Sequence, residues 1–320
     1  MTEAAETAPR APGASRGLRV AWGLAVMAGL SFMAGDAKAD PPPYKQVDQA
    51  PTAEPALPDV TVQAQREAME RRVWAFVASS NREPSDVSLA RWNKPICPLT
   101  VGLPAEQTEF FRARLSEIAA AAGAPLAPQP CRGNFVVIVS AEPDAVLKAW
   151  YARDYRIFGD ATRNRIDELL KAARPVRVWY NTNSESASGS PSATGVRGLV
   201  MTGRSSLVVD GTAEDSRIVS NAVRAFASVI VAIDSSRTKG INLNQLADYA
   251  AVVGLAEIQL DADVGATPTI LRLFSTSGEA KPTGLSAWDT AFLKALYHTS
   301  QKANLQRAAI THSMVHDIAP

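Results

Sequence analysis

The chain has 320 residues, with 33 Lys and Arg against 32 Asp and Glu for a formal charge of +1, and 46% of it is apolar. Such a balance argues against a nucleic-acid partner, because neutralising phosphates requires a clear surplus of Lys and Arg. The stretch from 60 to 320, about 260 residues, is long and apolar enough to bury a full core, and it reads as a single domain behind a leader and a linker.

The leader is the first 39 residues. Arg16 and Arg19 supply a positive flank, Val20 to Gly35 is an apolar run, and Ala37-Lys38-Ala39 is a small-residue cleavage pattern. Signal-peptide cleavage is expected after Ala39. The other reading, an uncleaved membrane anchor, wants about 20 apolar residues, and this run is shorter and broken by glycine. No later stretch is long enough to span a bilayer, so the expected destination is the periplasm or the exterior. Residues 40–59, rich in Pro and Ala with no hydrophobic period, read as a semi-extended linker.

The folded part is predicted to open with a helix from Thr61 to Ser79, with Val62, Met69, Val73, Phe76 and Val77 on one side and charged residues on the other. Arg91 to Leu103 reads as an extended segment ending in a turn at Gly102. A second amphipathic helix follows from about Ala105 to Ala122, with Phe110, Phe111, Leu115 and Ile118 as its apolar positions and Gly123 and Pro125 as its stop. Cys97 and Cys131 flank this helix. In an exported protein an even pair reads as a disulfide, and closing such a loop constrains the unfolded chain by roughly 4 kcal/mol.

Asn134 to Ser140 is a continuous apolar run, hence a central strand. Helices are expected from Pro143 to about Arg153 and from about Thr162 to Ala173, then a strand at Val176 to Asn181. A Ser/Gly/Asn-rich loop, Asn181 to Gly195, comes next, followed by a strand pair formed by Gly198 to Met201 and Ser206 to Val209. Ser216 to Phe226 is ambiguous between helix and strand, and Ala227 to Asp234 is a strand. It feeds Gly240 to Ile258, which reads as a buried helix capped by Asn242, with leucine and valine on one face and Ala247, Ala251 and Gly254 on the other. Pro268 to Phe274 is one apolar turn or two. Helices from Ser286 to Tyr297 and from about Lys302 to His316 close the chain.

Chemistry-bearing patterns are sparse. There is no nucleophile elbow, phosphate loop or C-x-x-C, and all three histidines (His298, His312, His316) lie near the C-terminus. His312 and His316 share a helical face at metal-ligand spacing, but Ser313 stands where a metalloprotease helix has its catalytic Glu, and the better reading is a pair of surface histidines. Asp261 and Asp263 are too few oxygens for a hard cation and read as a solvated loop. Asp234, ending an apolar strand, and Asp248, on the buried helix, are the acids of interest, since a carboxylate inside a core must be paired. Arg217, Arg224 and Arg237 are the candidate partners. A structural pair is the favoured role for both acids, with general acid/base work at Asp248 as the weaker one.

The order of these pieces resembles a family. Arg91-Trp92 then Pro95, the strand opening with Asn134, the strand-to-helix pair from Ala227 to Ile258, Thr269-Ile270-Leu271-x-Leu273-Phe274, and Leu285-Ser286-x-x-Asp289-x-x-x-Leu293-x-x-Leu296-Tyr297 are similar to exported bacterial proteins of unknown function that themselves resemble zincin metalloproteases. The resemblance implies an α+β, zincin-like domain: a small mixed sheet packed against a central buried helix and several amphipathic helices. With the register set by Gly254, the pattern H-E-x-x-H-x-x-G falls on Ala247 to Gly254, so both metal-ligand positions are alanine and Asp248 takes the place of the general-base Glu. The expectation is therefore a degenerate metal site, no cofactor, and a non-catalytic exported protein that binds an unknown protein or envelope ligand. A hydrolase or peptidase with an unrecognised site and a structural envelope component are the alternatives.

Overall fold

The computed structural model describes residues 58–81, 87–159, 163–186, 222–276 and 280–319. The predicted leader, nearly all of the linker, the loop beyond residue 186, the strand pair at 198–201 and 206–209, and Arg217 lie outside the described residues.

The centre of the sheet follows from the most apolar stretches. β2 (Phe135–Ser140) and β4 (Ala222–Asp234) run parallel and side by side, β1 (Pro98–Val101) extends the parallel set beyond β2, and β3 (Val176–Ser186) lies antiparallel along β4, giving the order β1-β2-β4-β3. β2 is continuously apolar because both of its faces are covered. Phe135, Val137 and Val139 enter the larger core, whereas Val136 and Ile138 face a second one. Among the described residues there are seven α-helices, and the fold is mixed, consistent with α+β.

Two layers flank the sheet. On the larger face lie α2 (Ala105–Ala122), α5 (Leu243–Leu255) and α6 (Ala287–His298), with α1 (Pro58–Ser80) and α7 (Ala303–Ile318) packed outside α6. On the smaller face α3 (Pro143–Arg153), the turn Tyr155–Phe158 and α4 (Arg163–Lys171) contribute Leu147, Phe158, Ile166 and Leu170.

Several boundaries differ from expectation for physical reasons. α1 starts at Pro58, inside the last residues of the predicted linker, where a proline suits the first helical turn. Its opening turns project past the core, so Val62 is 62% exposed. Phe110 is exposed too, because the buried stripe of α2 is Phe111, Leu115, Ile118, Ala119 and Ala122, and Phe110 sits one residue off it. β3 and β4 are longer than predicted and take up the start of the Asn181 loop and the end of the ambiguous segment. Their polar residues masked the pairing. At the bulge between Asn181 and Thr182 the Asn181 amide donates to Ile157 O and Ser228 Oγ, each at 2.8 Å, and its oxygen accepts from Trp179 Nε1.

Side chains stitch the remaining irregular backbone. Asn134 accepts from Cys97 N at 2.7 Å and donates to Pro95 O at 3.0 Å, aligning the approach to β1 with the start of β2. The Cys97–Cys131 disulfide closes the same region, with Cα atoms 5.9 Å apart. Gln306 of α7 pairs both its amide groups with the backbone of Leu89.

Candidate functional site

α5 is where the sequence concentrates its chemical questions. It begins with a capping box, in which Asn242 accepts from Gln245 N at 2.9 Å and the Gln245 side chain accepts from Asn242 N at 3.0 Å. Every residue from Gln245 to Leu255 is buried, as expected of a helix apolar on all sides. Burying each Leu or Val side chain stabilises the fold by roughly 1.5–3 kcal/mol.

A buried helix end must satisfy its last carbonyls without water. Here three side chains do so. Tyr180 donates to Val253 O at 2.8 Å, Trp92 Nε1 to Gly254 O at 2.9 Å, and Tyr297 to Leu255 O at 2.8 Å, while Val252 O accepts from Ala256 N. Trp92 is thus a core residue, with its ring between Phe135 and Phe226. Arg91 has an equivalent task on α6, donating to Leu296 O, Tyr297 O and Thr299 O. Gly254 is required by sterics: a Cβ there would lie 1.9 Å from Cζ of Phe135. The small face of α5 therefore receives an aromatic ring at this position.

Asp248 is fully buried. Its Oδ1 accepts from Arg114 Nε at 2.7 Å, and its Oδ2 accepts from Leu285 N at 2.7 Å and Asn244 Nδ2 at 3.4 Å. The backbone of Gly284 comes so near that a Cβ on it would stand 2.9 Å from Oδ2. Both oxygens are engaged, so the carboxylate ties α5 to α2 and to the segment before α6. Its cation is Arg114, which was not among the three arginines expected. Of those, Arg217 lies outside the described residues, Arg224 forms a two-pronged pair with Glu257, at 2.5 and 3.0 Å, and Arg237 meets Asp234 at 3.2 Å. Asp234 also accepts from Ser236 N and caps the turn Ser235–Arg237. Ala247 and Ala251, at the ligand positions of the zincin register, are wholly buried.

His312 and His316 occupy one face of α7 and both are exposed, with His316 Nδ1 3.4 Å from Asp317. Among the described residues no three His, Cys, Asp or Glu side chains gather at a spacing that could hold a metal ion. Asp261 is paired with Arg174 at 3.2 Å, and Asp263 accepts from Gly265 N at 2.8 Å. Burial pushes the Asp261 carboxyl up, but hydrogen bonds from its own backbone, Arg174 and Gln259 outweigh it and hold the group below the usual range.

Sequence reading quoted Asp289, the third residue of α6, within the family resemblance and gave it no role of its own. It accepts from Ser286 N and Oγ in a capping box, and also from Thr269 Oγ1 and Ile270 N, joining α6 to the turn Ile270–Phe274. Ser286-x-x-Asp289 was the available signal. Burial pushes the Asp289 carboxyl above the usual carboxylate range, against a smaller downward pull from these hydrogen bonds.

Compared with protein-family models, curated proteins and solved structures, the chain matches none. Among the described residues no helix is long and apolar enough to cross a membrane. The Cys97–Cys131 bond fits an oxidising compartment.

Proposed function

We propose that the chain is an exported, non-catalytic protein with a zincin-like domain, acting in the periplasm or outside the cell by binding a protein or envelope ligand. The observation that carries this reading is the state of Asp248. In the register set by Gly254 it stands at the general-base position, yet it is fully buried and both its oxygens are held by Arg114, Asn244 and Leu285 N. A general base has to reach the proton it abstracts directly or through one water. The wholly buried Ala247 and Ala251 at the neighbouring ligand positions support the same reading, since a methyl group donates no lone pair to a metal.

The test is metal content and peptide turnover of the protein, purified without a histidine tag and dialysed without chelator. The expected result is below about a tenth of an equivalent of zinc and no turnover. Hydrolysis of a peptide or glycan that disappears in Asp248→Asn, with the far-ultraviolet spectrum unchanged, overturns the reading.

A further inference from the structure

We infer that the cavity between residues 260–266 and 271–276, walled on one side by Tyr249 of α5, is a binding site for an organic cation: an ammonium or guanidinium group carried on an apolar or aromatic body. This names a ligand class for the binding function proposed above and rests on that reading. The cavity measures about 570 Å³, within the range of small-ligand pockets.

The first observation is Tyr249. It is only 4% exposed, it lines the cavity, and its hydroxyl has no hydrogen-bond partner among the described residues. Buried tyrosine hydroxyls ordinarily find one. Tyr180 and Tyr297, the other tyrosines against α5, each donate to a helix carbonyl and accept a backbone N–H. Tyr249 has instead the open space of the cavity. Burial pushes its phenol up against a smaller opposing pull from Arg174, so the group keeps its proton and can both donate and accept.

The second observation is charge. Asp261 and Asp263 both line the cavity. Asp261 already has Arg174, whereas Asp263, among the described residues, receives only the N–H of Gly265 in its own loop. Asp263 is therefore a carboxylate at the cavity that forms no ion pair with a cation among the described residues. Arg272 also lines the space but has an interaction of its own.

The third is the apolar remainder. Leu260, Leu271 and Phe274 line the cavity, and the Phe274 ring stands edge-on to Tyr249 with centroids 5.0 Å apart. An aromatic pair beside a carboxylate with no ion-pair partner among the described residues suits a cation with an apolar body, which gains the ion pair, ring contact and cation–π attraction together. A neutral ligand of the same shape loses the ion pair, and an anion meets Asp263 as a like charge.

Isothermal titration of the whole chain with benzamidine, and with the neutral isostere benzamide, tests this. The expected result is saturable one-site binding of benzamidine, with benzamide weaker by about fivefold or more. Asp263→Asn keeps the oxygen that Gly265 uses and removes only the charge, so it should weaken benzamidine by about fivefold and leave benzamide unchanged. Tyr249→Phe keeps the ring and should weaken both probes. Absence of saturable binding, equal affinity for the two probes, or no effect of Asp263→Asn overturns the inference. None of these outcomes touches the non-catalytic reading, which turnover decides separately.

Discussion

Replacing Arg114 by methionine keeps most of the apolar stem and removes the cation from Asp248. At an effective dielectric near 20, charges about 4 Å apart attract by about 4 kcal/mol before desolvation is counted. Removing one partner of a buried pair costs about 3–5 kcal/mol, since the other charge is left uncompensated. Arg114 keeps a quarter of its side chain in solvent, and Asp248 retains Leu285 N and Asn244, so the cost falls at or a little below the lower end of that range. The expected loss is about 2–3 kcal/mol, or about 4–12 °C in Tm for a chain of this size. Urea unfolding followed by circular dichroism measures it. Arg114 also meets Glu117 at 2.9 Å, but Glu117 is two-thirds exposed, so Glu117→Ala is the control and should cost under about 0.5 kcal/mol. Adding Asp248→Asn completes a cycle in which the coupling should be about 1–2 kcal/mol. If Arg114→Met lies within about 0.5 kcal/mol of the parent, Asp248 is not held as described and the argument against its availability as a base fails.

Other consequences are testable with the same assay. Tyr297→Phe leaves Leu255 O without its donor and Trp92 N without its acceptor, and should cost about 1–3 kcal/mol; Tyr180→Phe should cost a similar amount through Val253 O and Ile258 N. Gly254→Ala drives a methyl into Phe135 and should cost about 1–3 kcal/mol, partly recovered by Phe135→Leu. Reduction of Cys97–Cys131 should lower stability by roughly 2–4 kcal/mol, read as a shift in urea midpoint with and without reductant. The Asp317 carboxyl is held low by its hydrogen bonds from Lys294 and His316, so its contribution is present above the unfolded value and lost as pH falls through the folded one. The stability gap between the parent and Asp317→Asn should therefore close below about pH 4.

Much of the fold was legible because the helices and central strands bury strong periodic patterns. α3 has the predicted bounds, β2 announced itself by six residues with little polar content, and Asn242 and Ser286 signalled their helix starts. The extra length of β3 and β4 was hidden, because Thr182, Asn183, Ser184 and Arg224 are polar and break the alternation that marks a strand, with Arg224 Nη2 reaching across to Thr182 Oγ1 at 3.4 Å. The partner of Asp248 was hidden for another reason. Arg114 and Asp248 are 134 residues apart, and Arg114 sits in α2 among charged neighbours that look like a solvated face. The cavity beside Tyr249 could not be foreseen either: Asp261-Ala262-Asp263 reads as an ordinary loop, and only the tertiary packing brings Tyr249 and Phe274 to it.

The buried state of α5 also constrains where function can reside. Its ends are closed, by Asn242 and Gln245 at the start and by Tyr180, Trp92 and Tyr297 at the finish, and its one acid is spent on holding α2 and the approach to α6 in place. Exposing Asp248 to a substrate would require moving Arg114 and the 284–285 backbone together, breaking the charge-assisted bond and the backbone bond at once. Tyr249 stands next to Asp248 in sequence, yet among the described residues its hydroxyl carries no such duty. On the reading proposed above, α5 serves as a rigid wall and recognition falls to the loop against it, where Asp263 can change its partner without disturbing the core.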